Sequence, residues 1–337
     1  MLDLKTSYMG FELDNPFIVG ASEMTSSVEI LKRIEEAGAG AIVLKSLFEE
    51  QIQLERLRLD DAMTEYDERH AEMIGIHPHL EHAGPEEHLF WVRKSREAVK
   101  IPLIASLNAV NRETWVEYAA LLEQTGVDAL ELNFYSVPVD IAKKGSDMEK
   151  EQLDILRSVL EKVDIPVSVK LSPFYSNPLN MVSEMDKAGA SGFVLFNRFF
   201  QPDIDIDRET NILDMDLSDE GDYRIPLRYT GLLAGGIKGD ICASGGIHSG
   251  KEAAKLIMAG ASCVQVVSAL YKRKLDYLKF MQKELIKWMD GKGFACIDDF
   301  RGRMSKRRSS DPFAYERAQY VGMLMKPENV IKQYPDF

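Results

Sequence analysis

The strongest constraint on this chain is a segment written four times: a helix end, a Gly, a small or β-branched residue, then an apolar run. The copies start at Ala37-Gly38-Ala39, Thr125-Gly126-Val127, Ala188-Gly189-Ala190 and Ala259-Gly260-Ala261. They continue into Ile42-Val43-Leu44, Leu130-Glu131-Leu132, Phe193-Val194-Leu195 and Val264-Gln265-Val266. Gly at that place closes the preceding helix in the left-handed conformation, and small side chains after it let helix and strand approach closely. A polar residue stands at or just beyond each strand's carboxyl end: Lys45, Asn133, Asn197 and Ser268. In a parallel α/β protein that end is where ligands bind.

Four more strands complete the series. Ile101-Pro102 and Ile165-Pro166 each open an apolar run, with Pro tolerated at a strand's first residue. Asn15-Pro16-Phe17-Ile18-Val19-Gly20 precedes them all, and Asp240-Ile241-Cys242-Ala243-Ser244 makes an eighth. Between them, residues 28–37, 112–124, 149–163 and 251–258 carry apolar residues at helical spacing, with Asn111 and Ser249 as N-caps. Eight short strands alternating with helices predict an α/β fold, a (β/α)8 TIM barrel. The rival, a doubly wound open sheet, lacks a G-x-G-x-x-G after its first strand. Residues 48–88 and 199–225 read as carboxyl-end insertions that close a site. The expected division is a single barrel domain over 1–302 and a C-terminal extension over 303–337.

With 41 Lys and Arg against 54 Asp and Glu, the net charge is −13, which argues against a nucleic-acid partner. Three scattered cysteines, Cys242, Cys263 and Cys296, with no CxxC pair, argue against a disulfide framework and against an iron–sulfur cluster or structural zinc held by this chain. No signal segment and no membrane-spanning apolar stretch is evident, so the expected setting is the cytoplasm.

The chemistry-bearing residues fall at the strand ends. Ser244-Gly245-Gly246-Ile247-His248 is a Gly-rich turn entering a helix, and Val267-Ser268 adds amides and a hydroxyl after the last strand. Together they predict a phosphate cradle. Lys45 and Lys170 end apolar strands inside the barrel mouth, where an ammonium is costly to desolvate without an anion. Either would stabilise an anionic cofactor or, deprotonated, form a Schiff base. Asn133 and Asn197 offer amides that pair with a polar heterocycle.

In order, Lys45-Ser46, Glu131-Leu132-Asn133, Val169-Lys170-Leu171, Asn197, Ser244-Gly245-Gly246-Ile247 and Asp299-Phe300-x-Gly302 resemble the dihydroorotate dehydrogenases. Asn15-Pro16-Phe17 with Ala21-Ser22 resembles their first strand, so the likeness spans about residues 1–303. It implies an FMN-binding barrel. By that resemblance Lys45, Asn133 and Lys170 contact the flavin ring, as does Ser22 or the backbone at Ala21. Gly245, Gly246, Val267 and Ser268 hold the FMN phosphate, and Asn108 is a further flavin contact. Asn133-Phe134-Tyr135-Ser136 places Ser136 at the position of the family's catalytic base, with Tyr135 as an outside candidate, and Lys170 is the catalytic residue that stabilises the anionic reduced flavin by charge.

The substrate half departs from the family. Val137-Pro138 replaces Pro-Asn after the base, and Ile74-Gly75-Ile76-His77-Pro78-His79 replaces the substrate-holding Asn-x-x-Gly-x-x-Asn. The Gly-rich turn expected within 213–228 is missing, and Arg198 stands where a small hydroxyl residue is usual. Lys45, Asn133, Asn197 and Arg198 are the expected substrate contacts, Arg198 either clamping a carboxylate or pairing with Asp203 or Asp205. His77, His79 and His82 read as a His-rich loop rather than a metal site, and no metal is expected. The expectation is an FMN-dependent oxidoreductase passing hydride between a C–C bond of a small carboxylated or cyclic substrate and flavin. The alternatives are a Schiff-base lyase and a non-catalytic flavin-binding relic. An unidentified electron acceptor and a homodimer are the implied partners.

Overall fold

The computed structural model describes residues 2–50, 52, 85–212 and 216–326. Its eight predicted barrel strands all form. They are β3 (Phe17–Val19), β4 (Ala41–Val43), β6 (Leu103–Asn108), β7 (Ala129–Asn133), β8 (Val167–Leu171), β9 (Gly192–Leu195), β12 (Asp240–Ser244) and β13 (Cys263–Val266). They pair in the order β4-β3-β13-β12-β9-β8-β7-β6, all parallel, and the β4–β6 pairing closes the ring into a (β/α)8 barrel. A short strand, β5 (Leu47–Phe48), adds to β6 above the ring.

Alternation along each strand sorts the core into two. Phe17, Val19, Ile42 and Leu103 face outward into the layer between sheet and helices, while Ile18, Ala41, Val43 and Ile104 face inward. The inner core is closed at the amino end by a hairpin of β1 (Thr6–Tyr8) and β2 (Phe11–Leu13), which inserts Tyr8, Met9 and Leu13. This hairpin was not legible in the sequence, because strands of three residues carry too little alternation to stand out.

All four repeat glycines take positive φ: 87° at Gly38, 86° at Gly126, 111° at Gly189 and 126° at Gly260. Gly40 obeys a different constraint, since a Cβ there would lie 2.2 Å from the Asn15 carbonyl oxygen. The helices that follow are α1 (Val28–Glu36), α2 (Pro85–Ala98), α3 (Arg112–Glu123), α4 (Gly145–Leu160), α5 (Pro178–Ala188), α6 (Arg224–Leu233) and α7 (Gly250–Ala259). Ser249 caps α7 by accepting from the Lys251 amide at 3.1 Å. Asn111 occupies the N-cap position of α3, but its side chain turns away and donates to Glu49, so the expected side-chain cap is absent. α4 begins four residues before the predicted start, because its first turn, Gly145 to Met148, is mostly polar and shows no apolar periodicity.

After β13 the chain forms α8 (Ser268–Arg273) and α9 (Tyr277–Lys292). The extension then packs back on the barrel helices: Met304 N donates to Met258 O at 2.8 Å, and Tyr315 lies against Gly231. Within the 199–225 insertion, β10 (Asp203–Asp205) and β11 (Thr210–Ile212) make a second hairpin. Most of the 48–88 insertion, with His77, His79 and His82, and the end of the chain at Tyr334 to Phe337 lie outside the described residues.

Candidate active site

The carboxyl ends of the strands converge on a cavity of about 520 Å³. Ala21, Ser22 and Lys45 line it from beyond β3 and β4, and Asn133 and Lys170 from the ends of β7 and β8. Asn197 and Arg198 follow β9, Gly245 and Gly246 follow β12, and Val267 and Ser268 follow β13. Two expected residues stand outside the lining. Asn108 is buried and donates its amide to the Asn133 carbonyl at 2.7 Å, so it holds Asn133 rather than facing the cavity. Ser136 is exposed on the loop after β7, and the side chain of that loop lining the cavity is Tyr135.

Lys170 has only 7% of its side chain exposed. Its Nζ donates to Gln265 Oε1 at 3.0 Å and lies 3.7 Å from Glu131 Oε1. Gln265 Nε2 in turn donates to Glu131 Oε2 at 2.5 Å. The buried ammonium is therefore balanced by a carboxylate that is itself only 1% exposed, which offsets the cost of desolvating either charge. Sequence reasoning missed both partners. Gln265 turns inward from its strand, as Cys263 does two residues before it, but only barrel closure brings β13 to face β8.

Lys45 pairs with Glu23 at 2.6 Å at the cavity rim. Asn197 donates to Asn133 Oδ1 at 2.6 Å, fixing both amides across β8. Arg198 is already engaged. It donates to Asp222 Oδ2 at 2.7 Å, to the Asp216 carbonyl at 3.0 Å and to the Asp216 carboxylate. Its partners are thus Asp216 and Asp222, not the expected Asp203 or Asp205, because the chain after β11 folds back over the mouth. A guanidinium held by two carboxylates is not free to clamp a third.

The turn after β12 lies on the cavity, and both of its glycines take positive φ. Gly245 has φ 101°, and a Cβ there would meet nothing within 4 Å, so its backbone borders open space. Gly246, at φ 66°, has no room for a Cβ, which would lie 2.2 Å from Tyr223 N. The missing Gly-rich turn is replaced by Ser218, whose Oγ donates to Ser268 Oγ at 2.9 Å and accepts from Gly246 N at 3.2 Å. His248 Nε2 and Lys272 Nζ hold the Ser218 carbonyl at 2.8 and 3.0 Å. Lys272 also donates to Asp219 at 2.7 Å and keeps that carboxyl below the usual carboxylate range. A lone Ser in a loop gave no sequence signal for this role.

In the first turn of α2, His88 packs its ring 5.2 Å from that of Trp91, centroid to centroid. Burial, and then the nearby charge of Lys45, push its pKa down to about 4, so the imidazole is neutral at ordinary pH. Among the described residues no group of three or more His, Cys, Asp or Glu could hold a metal.

The chain matches the sequence model of the family described as Dihydroorotate dehydrogenase over residues 3–289. It is 32% identical over 313 residues to the "Dihydroorotate dehydrogenase B (NAD(+)), catalytic subunit" of Thermoplasma volcanium, covering 91% of this chain and the whole of the relative. The proteins of the same description from Thermoplasma acidophilum and Methanocaldococcus jannaschii are 28% and 29% identical. Those matches cover 90% and 85% of this chain, and 99% and 93% of the relatives.

Proposed function

The chain belongs to the dihydroorotate dehydrogenase family, and from that premise we propose how its cavity is used. The protein is an FMN-dependent oxidoreductase acting on CH–CH groups. The cavity suits that cofactor. Ser22 Oγ is buried without a hydrogen-bond partner among the described residues, Gly245 leaves a cradle that any side chain would fill, and the only buried ammonium on its lining is Lys170. When bound, FMN supplies a two-electron acceptor and donor for hydride.

Gly245, Gly246, Val267 and Ser268 take the phosphate through backbone amides and a hydroxyl, with Ser218 bracing the two loops. Lys170, on the cavity lining, would stabilise by charge the negative charge that reduction adds to the bound flavin. Ala21, Ser22, Lys45 and Asn133 fix the ring, and Asn108 acts through Asn133. Asn133 and Asn197, locked to each other, orient the substrate over it, with Arg198 closing the rim.

The substrate is a small carboxylated or cyclic compound, of which dihydroorotate is one member. The relatives are named as catalytic subunits, which supports an electron acceptor carried by another chain. No described helix is long and apolar enough to cross a membrane, which is compatible with a cytoplasmic setting. Exposed Ile141, Phe174 and Ile204 near the carboxyl-end face favour pairing of two copies.

The observation that carries this reading is the buried Lys170 on the same cavity as the Gly245 cradle. The purified protein is expected to be yellow, or its apoprotein to take up FMN with a change in flavin fluorescence. Lys170→Met should weaken uptake or leave the reduced flavin less stabilised. A colourless protein that takes up no FMN would overturn the reading.

A further inference from the structure

The proton partner of the hydride step is unassigned, because Ser136 is exposed and its side chain is not on the cavity. The residue before it is placed differently. Tyr135 lines the cavity, with its ring stacked on Phe199 at 5.6 Å and 28°. Phe199 is braced edge-on by Phe174 at 5.0 Å, so the stack is held from two sides. The Tyr135 hydroxyl oxygen accepts the Phe200 amide at 3.1 Å.

That contact spans the segments following β7 and β9, and in the sheet β8 lies between those two strands. The tyrosine therefore arches over the end of β8, which carries Lys170, and closes the side of the mouth where Asn133 and Asn197 meet. Among the described residues nothing accepts its own proton. A phenol releases a proton far more readily than an alcohol, and the Phe200 amide faces the charge left on oxygen when it does so.

Resting on the FMN reading above, we propose that Tyr135 Oη, rather than Ser136 Oγ, is the proton donor and acceptor of this site. In the reducing direction the substrate is a C=C bond conjugated to a carbonyl. Its π bond breaks as one carbon takes hydride, with its electron pair, from the reduced flavin. The other carbon takes the Tyr135 proton, the flavin is left oxidised, and water at the open mouth reprotonates the phenolate. Oxidation of the saturated compound runs the same transfers backward through the same oxygen.

The test uses FMN-loaded wild type, Tyr135→Phe and Ser136→Ala, each reduced with dithionite and mixed anaerobically with orotate or 2-cyclohexen-1-one. Flavin reoxidation is read in a single turnover. Tyr135→Phe is expected to slow it by about 100-fold, the lower range for loss of a positioned acid, while its affinity for FMN stays unchanged. Ser136→Ala is expected to match wild type. The reverse ranking, or equal rates in all three, overturns the proposal.

A second readout does not depend on turnover. Tetranitromethane should nitrate Tyr135, mapped by mass spectrometry, and FMN with orotate should protect it. Nitration that FMN and orotate leave unchanged also overturns the proposal. A protein that binds no FMN at all would instead sink the reading on which it rests, so the two failures are distinguishable.

Discussion

Glu131 is the residue on which the tuning of the site turns. Its carboxylate lies 3.7 Å from the Lys170 ammonium and is tied to the same Gln265 side chain. A negative charge that close offsets part of the positive field that Lys170 would present to a flavin bound as proposed above. Glu131→Gln keeps an oxygen for the Gln265 amide but removes the charge. It should therefore strengthen the sulfite adduct of the bound flavin, which grows with positive charge near the ring. We expect about a tenfold lower dissociation constant, corresponding to about 1.4 kcal/mol. Spectrophotometric sulfite titration of both proteins measures this, and an unchanged constant would mean that Glu131 serves packing alone.

Among the elements, the turn from α1 into β4 shows how two glycines in one sentence do different work. Gly38 supplies the positive φ that ends the helix, while Gly40 lets the strand pass against the Asn15 backbone. Asn15 is itself fastened there, donating to Gly38 O at 2.9 Å and accepting from Phe17 N at 3.1 Å. Gly40→Ala must push backbone apart and should cost about 3 kcal/mol. Gly126→Ala, where φ is 86° but a Cβ meets nothing within 4 Å, should cost only about 1 kcal/mol. Urea unfolding of the two variants separates close approach from conformational strain. The repeat pattern predicted the turns alike, because a Gly in sequence does not say which of its two freedoms is in use.

At the level of the whole molecule, acid should loosen the fold through His88. Its folded pKa of about 4 lies below the ordinary histidine value near 6.5. Between those values the unfolded chain binds a proton that the folded chain does not, so stability falls as pH drops from about 6.5 toward 4. With partial exposure discounted, this contribution is about 2 kcal/mol. His88→Gln should lose that part of the slope, measured as the difference in urea midpoint between neutral pH and pH near 4.5. A variant with the wild-type slope would place the acid sensitivity elsewhere.

The chain's own pattern determined the barrel and which residues stand at the strand ends around the cavity. Strand, turn and strand-end residue lie within a few positions of one another, so Lys45, Asn133, Lys170, Gly245 and Ser268 keep fixed offsets from signals that local sequence carries. The tertiary structure alone decided what those residues meet. Lys170 and Gln265 are 95 residues apart, Tyr135 and Phe200 65, and Ser218 and Ser268 50. Ring closure and the folding back of the long loops bring each pair together, and no local periodicity encodes either. For the same reason the sequence leaves Arg198 between clamping a carboxylate and pairing with Asp203 or Asp205, and the fold pairs it with Asp216 and Asp222 instead. The family resemblance rests on short motifs at the strand ends, which is why it was legible in the sequence, whereas the mouth is assembled from loops far apart in the chain.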